Sequence, residues 1–288
     1  MDVLVVDDEA QREGSASASA FFAAVDQAVT KSSARVAFDC EGVNLSRKGT
    51  LEVLSLFFED AMEGGCENGV FLVDLGGSST TFREKRVDAL KRLLECPTVT
   101  KIIHDCRMDS DALFHQFGIT LHCVHDTACF HQVITGMEAK NLNDTLSYYG
   151  MDQNAARDKS IYKRNPKFWA TRPMTNQMIS WASSDVDKLP AMASKQDLIL
   201  EGRGQTSTSM AEKLSLRHAE TLRSKKLAIL PLKMPAGRFI GTRGANIRSA
   251  EKRTGAIVYQ YPGQGQNQWM VYYSDDSALI KMKREMGY

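Results

Sequence analysis

Residues 34–42 read ARVAFDCEG. Val36, Ala37 and Phe38 give the stretch an apolar, β-prone start, and Asp39 and Glu41 then place two acids one residue apart. Side chains alternate along a strand, so both carboxylates fall on one face while Cys40 points the other way, toward a core. A buried strand carries two acids on one face when they are paired or metal-bound; alone, the same pattern fits an edge strand with a solvated acidic face. Two further acidic clusters follow, IIHDCRMDSDAL at 102–113 and ISWASSDV at 179–186. Asp39, Glu41, Asp109 and Asp185 thus come from three segments, as a hard divalent cation with oxygen ligands requires. Two such ions about 4 Å apart can clamp the attacking and leaving oxygens of a phosphodiester.

Outward from this strand, TLEVLSLFFED at 50–60 is a second β-prone run, set off by the turn residues VNLSRKG. GVFLVDLGG at 69–77 reads as a third strand, and REKRVDALKRLLECP at 83–97 as an amphipathic helix stopped by Pro97. VTKIIHD is a buried-strand candidate, followed by a helix that ends at Gly118, then by a short strand and helix in LHCVHDTACFHQVI. Strands first, then strands alternating with helices, predict an α/β fold: a mixed sheet covered by helices. Residues 147–195 read as mostly helical, with a break expected near Pro190. The small-residue run QREGSASASA makes 1–20 a flexible N-terminus in this reading, and EGRGQTSTS opens a linker and connecting helix over 201–224.

The 288 residues are 43% apolar and 25% charged, which excludes wholesale disorder. No apolar run reaches the roughly 18 residues of a membrane helix, and the first residues lack a signal pattern, so an intracellular protein of cytoplasm or nucleus is expected. Cys40, Cys66, Cys96, Cys106, Cys123 and Cys129 include no CxxC pair, which points to reduced thiols rather than a zinc or disulfide framework. His122, His125 and His131 lack partners at zinc-binding spacings. The net charge of +1 is uneven: residues 225–288 hold 11 Lys/Arg against 4 Asp/Glu, a balance of +7 that leaves −6 for the rest. Affinity for polyanions is therefore expected at the C-terminal end.

FDCEG, the helix with Asp109, and Asp185 within SWASSDV resemble the three exonuclease motifs of the DEDD superfamily, specifically its ribonuclease D-like branch. LHCVHDTACF resembles the family's strand-to-helix DT segment, NLNDTLSYYG its substrate-side helix, and WATRPM at Trp169–Met174 the W…RP element before the third motif. The resemblance covers roughly 34–195 and implies a ribonuclease H-like core, with an exonuclease domain at 21–200. It implies that Asp39, Glu41 and Asp185 hold one metal directly, that Asp39 bridges to a second, and that Asp109 holds that second ion through water. Two Mg2+ or Mn2+ ions and removal of nucleotides from a 3′ end follow from it. Asp105 and Asp111 compete with Asp109 for the second motif; the family's His and FG register favours Asp109. One position departs from the family. Its tyrosine branch carries Tyr four residues before the third-motif Asp, where this chain has Trp181, and Ser180 occupies the place of the histidine variant. An indole N–H only donates, so it does not help remove a proton from water, and reduced turnover is implied.

GRFIGTRGANIRSAEKRTGAIVY at 237–259 places Gly-x-x-Gly between two helix patterns and resembles a KH domain, expected over 225–288. Such loops clamp the backbone of about four unpaired nucleotides. Arg238, Gly241, Thr242, Arg243, Gly244 and Arg248 are the implied RNA contacts. Ile240, Ile247 and Ile257 either line the apolar groove or pack in the core. The leading expectation is a 3′→5′ exoribonuclease acting on single-stranded RNA, with DNA left open as substrate. The alternatives are an RNA-binding adaptor of the same family or a DNA-directed 3′→5′ exonuclease.

Overall fold

Asp39 and Glu41 lie in the interior of a six-stranded sheet, as the apolar flanks of their strand require. A computed structural model describes residues 2–59, 69–77, 79–139, 141–158, 160–261 and 267–288. Cys66, and with it any reading of that thiol, lies outside the described residues. The strands are β1 (Val3–Val6), β2 (Arg35–Val43), β3 (Thr50–Phe58), β4 (Val70–Asp74), β5 (Thr100–Ile103) and β6 (Val124–Asp126), ordered β1-β4-β3-β2-β5-β6. β2, β3 and β4 run as an antiparallel meander, β5 and β6 extend it in parallel beyond β2, and β1 pairs in parallel with β4.

Among the described residues, ten α-helices belong to this part, besides a 3-10 turn at Phe168–Ala170: α1 (Asp8–Arg12), α2 (Ala16–Thr30), α3 (Thr80–Glu95), α4 (Arg107–Phe117), α5 (Thr127–Thr135), α6 (Leu142–Tyr148), α7 (Ile161–Arg164), α8 (Asn176–Ser184), α9 (Leu189–Glu201) and α10 (Gln205–Thr221). One sheet face buries Phe38, Cys40, Leu54 and Leu56 against Phe21 of α2, Leu90 and Leu93 of α3, and Leu113 of α4. The other buries Ala37, Val53 and Leu72 against Phe130 of α5, Met178 and Trp181 of α8, and Met192 of α9. The fold is thus a mixed α/β sheet flanked by helices on both faces, the class expected from the order of strands and helices.

Three expectations at the edges of this domain need correction. The flexible N-terminus expected over 1–20 instead supplies β1, α1 and the start of α2. Val3–Val6 add a parallel edge strand, and in the Ser/Ala run Ser15 caps α2, whose Ala18, Phe21, Ala24, Val25 and Ala28 are buried. Small side chains there permit close packing rather than disorder. The break expected at Pro190 is instead the first turn of α9, where a missing N–H costs nothing. Of the linker and connecting helix expected over 201–224, the helix is present as α10 and the linker contracts to a turn before it. In that helix Ala211, Ser215 and Ala219 recur every four residues and are buried. The Ser110 hydroxyl donates to the Ala219 carbonyl at 2.5 Å, and the Asp126 N–H donates to Ser215 Oγ at 3.1 Å.

The chain divides into two compact units, 1–220 and 221–288. The second has the order β7 (Lys226–Pro231), α11 (Ala236–Ile240), α12 (Ala245–Thr254), β8 (Ile257–Gln260), β9 (Gln268–Tyr273), α13 (Asp276–Glu285). Its antiparallel sheet runs β7-β9-β8 and encloses Phe239, Ala250, Val258, Trp269, Val271 and Met282. Among the described residues no helix is long and apolar enough to cross a membrane.

Candidate active site

On β2, Asp39 opposes Ser55 and Glu41 opposes Val53 of the neighbouring strand, so both acids share a face with Ala37 and with the helices α8 and α9. The ladder shifts just after Glu41. A Cβ on Gly42 would stand 2.0 Å from the Thr50 carbonyl oxygen, so only glycine allows β3 to close over the bulge that aims Glu41. Asp185 caps the C-terminal end of α8, one helical turn after Trp181. Carboxylate oxygens of Asp39, Glu41 and Asp185 lie within 4.8 Å of one another. Three oxygen donors converging from a strand and a helix end suit Mg2+ or Mn2+.

Asp109 sits on the first turn of α4, 7% exposed, and does not join that 4.8 Å group. Cys40 packs in the core beneath the acids. The two rivals of Asp109 are committed elsewhere. Asp105 lies outside α4 at φ +59° and pairs with Arg107 at 2.6 and 2.7 Å. Asp111, fully buried, accepts from Arg47 Nη2 at 2.6 Å, Arg47 Nε at 3.0 Å and the Arg47 N–H at 2.9 Å, and so fastens the β2–β3 loop to α4. His104 shares a 2.9 Å hydrogen bond with Thr127. Arg172 of the W…RP element donates from Nε to Asp74 at 2.8 Å and from Nη1 to the Trp169 carbonyl at 2.7 Å, locking that turn to β4.

Crowding so many acids away from water raises their pKa values. Burial pushes Glu41 and Asp109 each up to about 7. Asp39 rises well above the usual carboxylate range through burial, then through Asp185, Glu41 and Asp109. Burial also raises Asp185, against the opposing pull of Arg157. Arg157 is the residue that the sequence reading missed. Its Nη1 donates to Glu41 at 2.7 Å, its Nη2 donates to Asp185 and, at 3.0 Å, to the Trp181 carbonyl, and its guanidinium lies 5.4 Å from the Trp181 ring centre. Asn154 donates to Asp185 at 3.2 Å. Both occur in the plain polar stretch DQNAARD, and no spacing there distinguishes them from loop residues.

A second donor group, Asp126, Cys129 and His218, also lies within 4.8 Å, although spacing gave no sign of it. The Asp126 carboxylate is already engaged there: it caps α5 at the Ala128 N–H and accepts from the N–H groups of Asp105 and Cys106. In the second unit, Arg238, Thr242, Arg243 and Arg248 are exposed around Gly241 and Gly244, which take φ of +72° and +77°. Asn246 donates to the Arg238 carbonyl at 2.8 Å and fills the space that a Cβ on Gly241 would enter. Ile240 and Ile247 pack partly into that unit's core, and Ile257 is half-buried.

A family model described as a 3′-5′ exonuclease matches residues 15–196, most of the first unit. The chain belongs to the 3′-5′ exonuclease family. Among curated proteins it is 27% identical over 155 residues to the human piRNA biogenesis protein EXD1, across 48% of this chain and 27% of that protein, so it spans only part of that relative's length. Among solved structures, ribonuclease D of Trypanosoma brucei superposes with a TM-score of 0.59 at 18% identity, over 92% of this chain and 83% of that one. NrnC of Brucella melitensis with bound Mg2+ gives 0.51 at 18% identity, over 77% and 93%. These two likenesses establish a shared fold.

Proposed function

We propose that the chain is a metal-dependent 3′→5′ exonuclease that trims single-stranded RNA. The observation that carries this reading is the convergence of Asp39, Glu41 and Asp185 within 4.8 Å, with buried Asp109 alongside. Asp39, Glu41 and Asp185 would hold a divalent ion directly and Asp109 a second one through water; the donor set, all carboxylate oxygen, fits Mg2+ or Mn2+. When bound, such ions supply an activated water and neutralise charge on the departing 3′ oxygen. The chain's own residues set the stage. β2 and the end of α8 fix the acids, the Gly42 bulge sets the Glu41 direction, and Asp111 with Arg47 holds the loop beside them. Trp181, buried behind the site, contributes no proton acceptor, and slow turnover follows from it.

The choice of RNA rests on the second unit. Its β-α-α-β-β-α order, with Gly241-Thr242-Arg243-Gly244 between α11 and α12, supports the KH reading, and exposed Arg238, Arg243 and Arg248 suit a phosphate backbone. The test is competition between single-stranded RNA and DNA of one sequence, each labelled at the 5′ end. Faster 3′ shortening of RNA supports the reading; preferential shortening of DNA replaces it with a DNA-directed exonuclease. One feature favours an RNA-binding adaptor instead, the missing hydroxyl at Trp181. In that case RNA is bound and stays intact.

A further inference from the structure

Arg157 stands among the very oxygens that the proposed nuclease reading assigns to a metal. Its guanidinium spans Glu41 and Asp185, which come from β2 and α8, and so ties together two of the three converging carboxylates. All three side chains are largely enclosed, with 20%, 13% and 18% of their surface exposed, so the pairing is shielded from water. Trp181 holds the same guanidinium twice, through its carbonyl oxygen at 3.0 Å and its ring at 5.4 Å. Indole is the strongest aromatic partner for a cation. The residue that removes the family's tyrosine hydroxyl is therefore also a seat for Arg157.

The stretch carrying Arg157, 151–158, has no helix or strand of its own and is fastened by side chains. The Asn154 N–H donates to Asn143 Oδ1 at 2.9 Å, and Asn143 Nδ2 returns a bond to the Asn154 carbonyl at 3.0 Å. Asn154 reaches Asp185, and Lys188 donates to Asn154 at 2.7 Å. These bonds hold 151–158 against α6, against the end of α8 and against the residue before α9. A segment fastened by polar side chains, without a helix or strand of its own, can open locally without unfolding the core, and amide exchange reads that opening.

Arg157 already occupies oxygens of Glu41 and Asp185, and a guanidinium and a divalent ion competing for those oxygens repel each other most where water is excluded. We propose that Arg157 is a removable internal cation of the metal site: it joins Glu41 to Asp185 until a divalent ion displaces it, so that metal binding and a shift of 151–158 are one event. This inference rests on the metal-dependent reading of the site.

The test is calorimetric titration of Mn2+ into the full chain and its Arg157→Gln and Arg157→Lys variants, with hydrogen exchange at 151–158 followed with and without Mn2+. Arg157→Gln is expected to bind Mn2+ about tenfold tighter or more, a change of about 1.4 kcal/mol. Arg157→Lys is expected to fall between, since a point donor does not bridge two carboxylates as a planar fork does. In the wild type, Mn2+ is expected to speed exchange at 151–158. Equal or weaker binding by Arg157→Gln, with wild-type binding intact, overturns displacement and leaves the nuclease reading standing. Tighter binding without any change in exchange also overturns it, because a through-space charge effect then suffices. If Arg157→Gln unfolds, the same comparison is made with Arg157→Lys, and affinity at or below wild type overturns the proposal. Absence of Mn2+ binding in all three overturns both readings.

Discussion

At the scale of single residues, four acids and one arginine crowd the candidate site. Asp39 is held away from water among Asp185, Glu41 and Asp109, so its charge is a burden to the metal-free fold. Asp39→Asn removes that charge while keeping the shape. It is expected to cut exonuclease activity below about one-hundredth of wild type, more than about 2.7 kcal/mol on the barrier. In EDTA the same variant is expected to melt higher, by about 2–4 °C for each kcal/mol gained. A lower melting temperature in EDTA would show that the acid is not strained. The pH profile follows from the same crowding. Glu41 and Asp109 hold their protons up to about pH 7 in the folded state. Their unfolded counterparts release them at about pH 4. At these two groups the folded state binds more protons across that window, so their contribution to metal-free stability is fullest at its acid end and is lost as pH rises through it. Burial lowers His125 to about 4 and also lowers His104 and His131, which tilts the same window the other way. Melting in EDTA from pH 4.5 to 8 is therefore compared with Glu41→Gln: the wild type is expected to lose stability relative to the variant as pH rises, and a relative gain would refute the crowding.

The elements that aim these residues were unequally legible. β2, β3, α3 and α4 announced themselves because their apolar periods match their exposure, and because Pro97 and Gly118 sit just past α3 and α4. β1 and α2 did not, and α10 was expected only as a connecting helix, without its buried Ala211, Ser215 and Ala219 seam. β1 is a run of only four residues, and α2 opens in Ser and Ala, which serve a tight contact and a loop equally well until the partner surface is known. The strand spacing of Asp39 and Glu41 showed that both share a face, yet no local pattern could assign Arg157, whose role exists only after residues 116 and 28 positions away are brought to it. The bulge at Gly42 gives this scale its test. Gly42→Ala would push a Cβ into the Thr50 backbone, where no flexible side chain can yield. It is expected to destabilise by about 2 kcal/mol or more and to lower activity by misdirecting Glu41, measured by denaturant melting beside a cleavage assay. Asp111→Ala is expected to cost about 3–5 kcal/mol, because it removes the carboxylate from a mostly buried ion pair with Arg47. Loss of less than about 1 kcal/mol would mean that the β2–β3 loop is not held there.

For the whole molecule, the division into 1–220 and 221–288 matches a split in charge, acidic in the larger unit and basic toward the C-terminus. If the second unit supplies the RNA contact, replacing both Thr242 and Arg243 with Asp is expected to weaken RNA binding and to lower the salt dependence by about one phosphate contact. Cleavage of a very short oligonucleotide is expected to persist. Unchanged RNA affinity would remove the KH reading of that loop. The central claim is that the Asp39, Glu41 and Asp185 cluster works as a metal-dependent 3′→5′ exonuclease site. It is tested most directly by incubating the full chain with 5′-labelled single-stranded RNA, with Mg2+, with Mn2+ and with EDTA, beside the Asp39→Ala variant. The expected result is a ladder that shortens from the 3′ end only with metal and only in the wild type. RNA that stays intact while still shifting on a native gel, or a ladder that persists in Asp39→Ala, would contradict it.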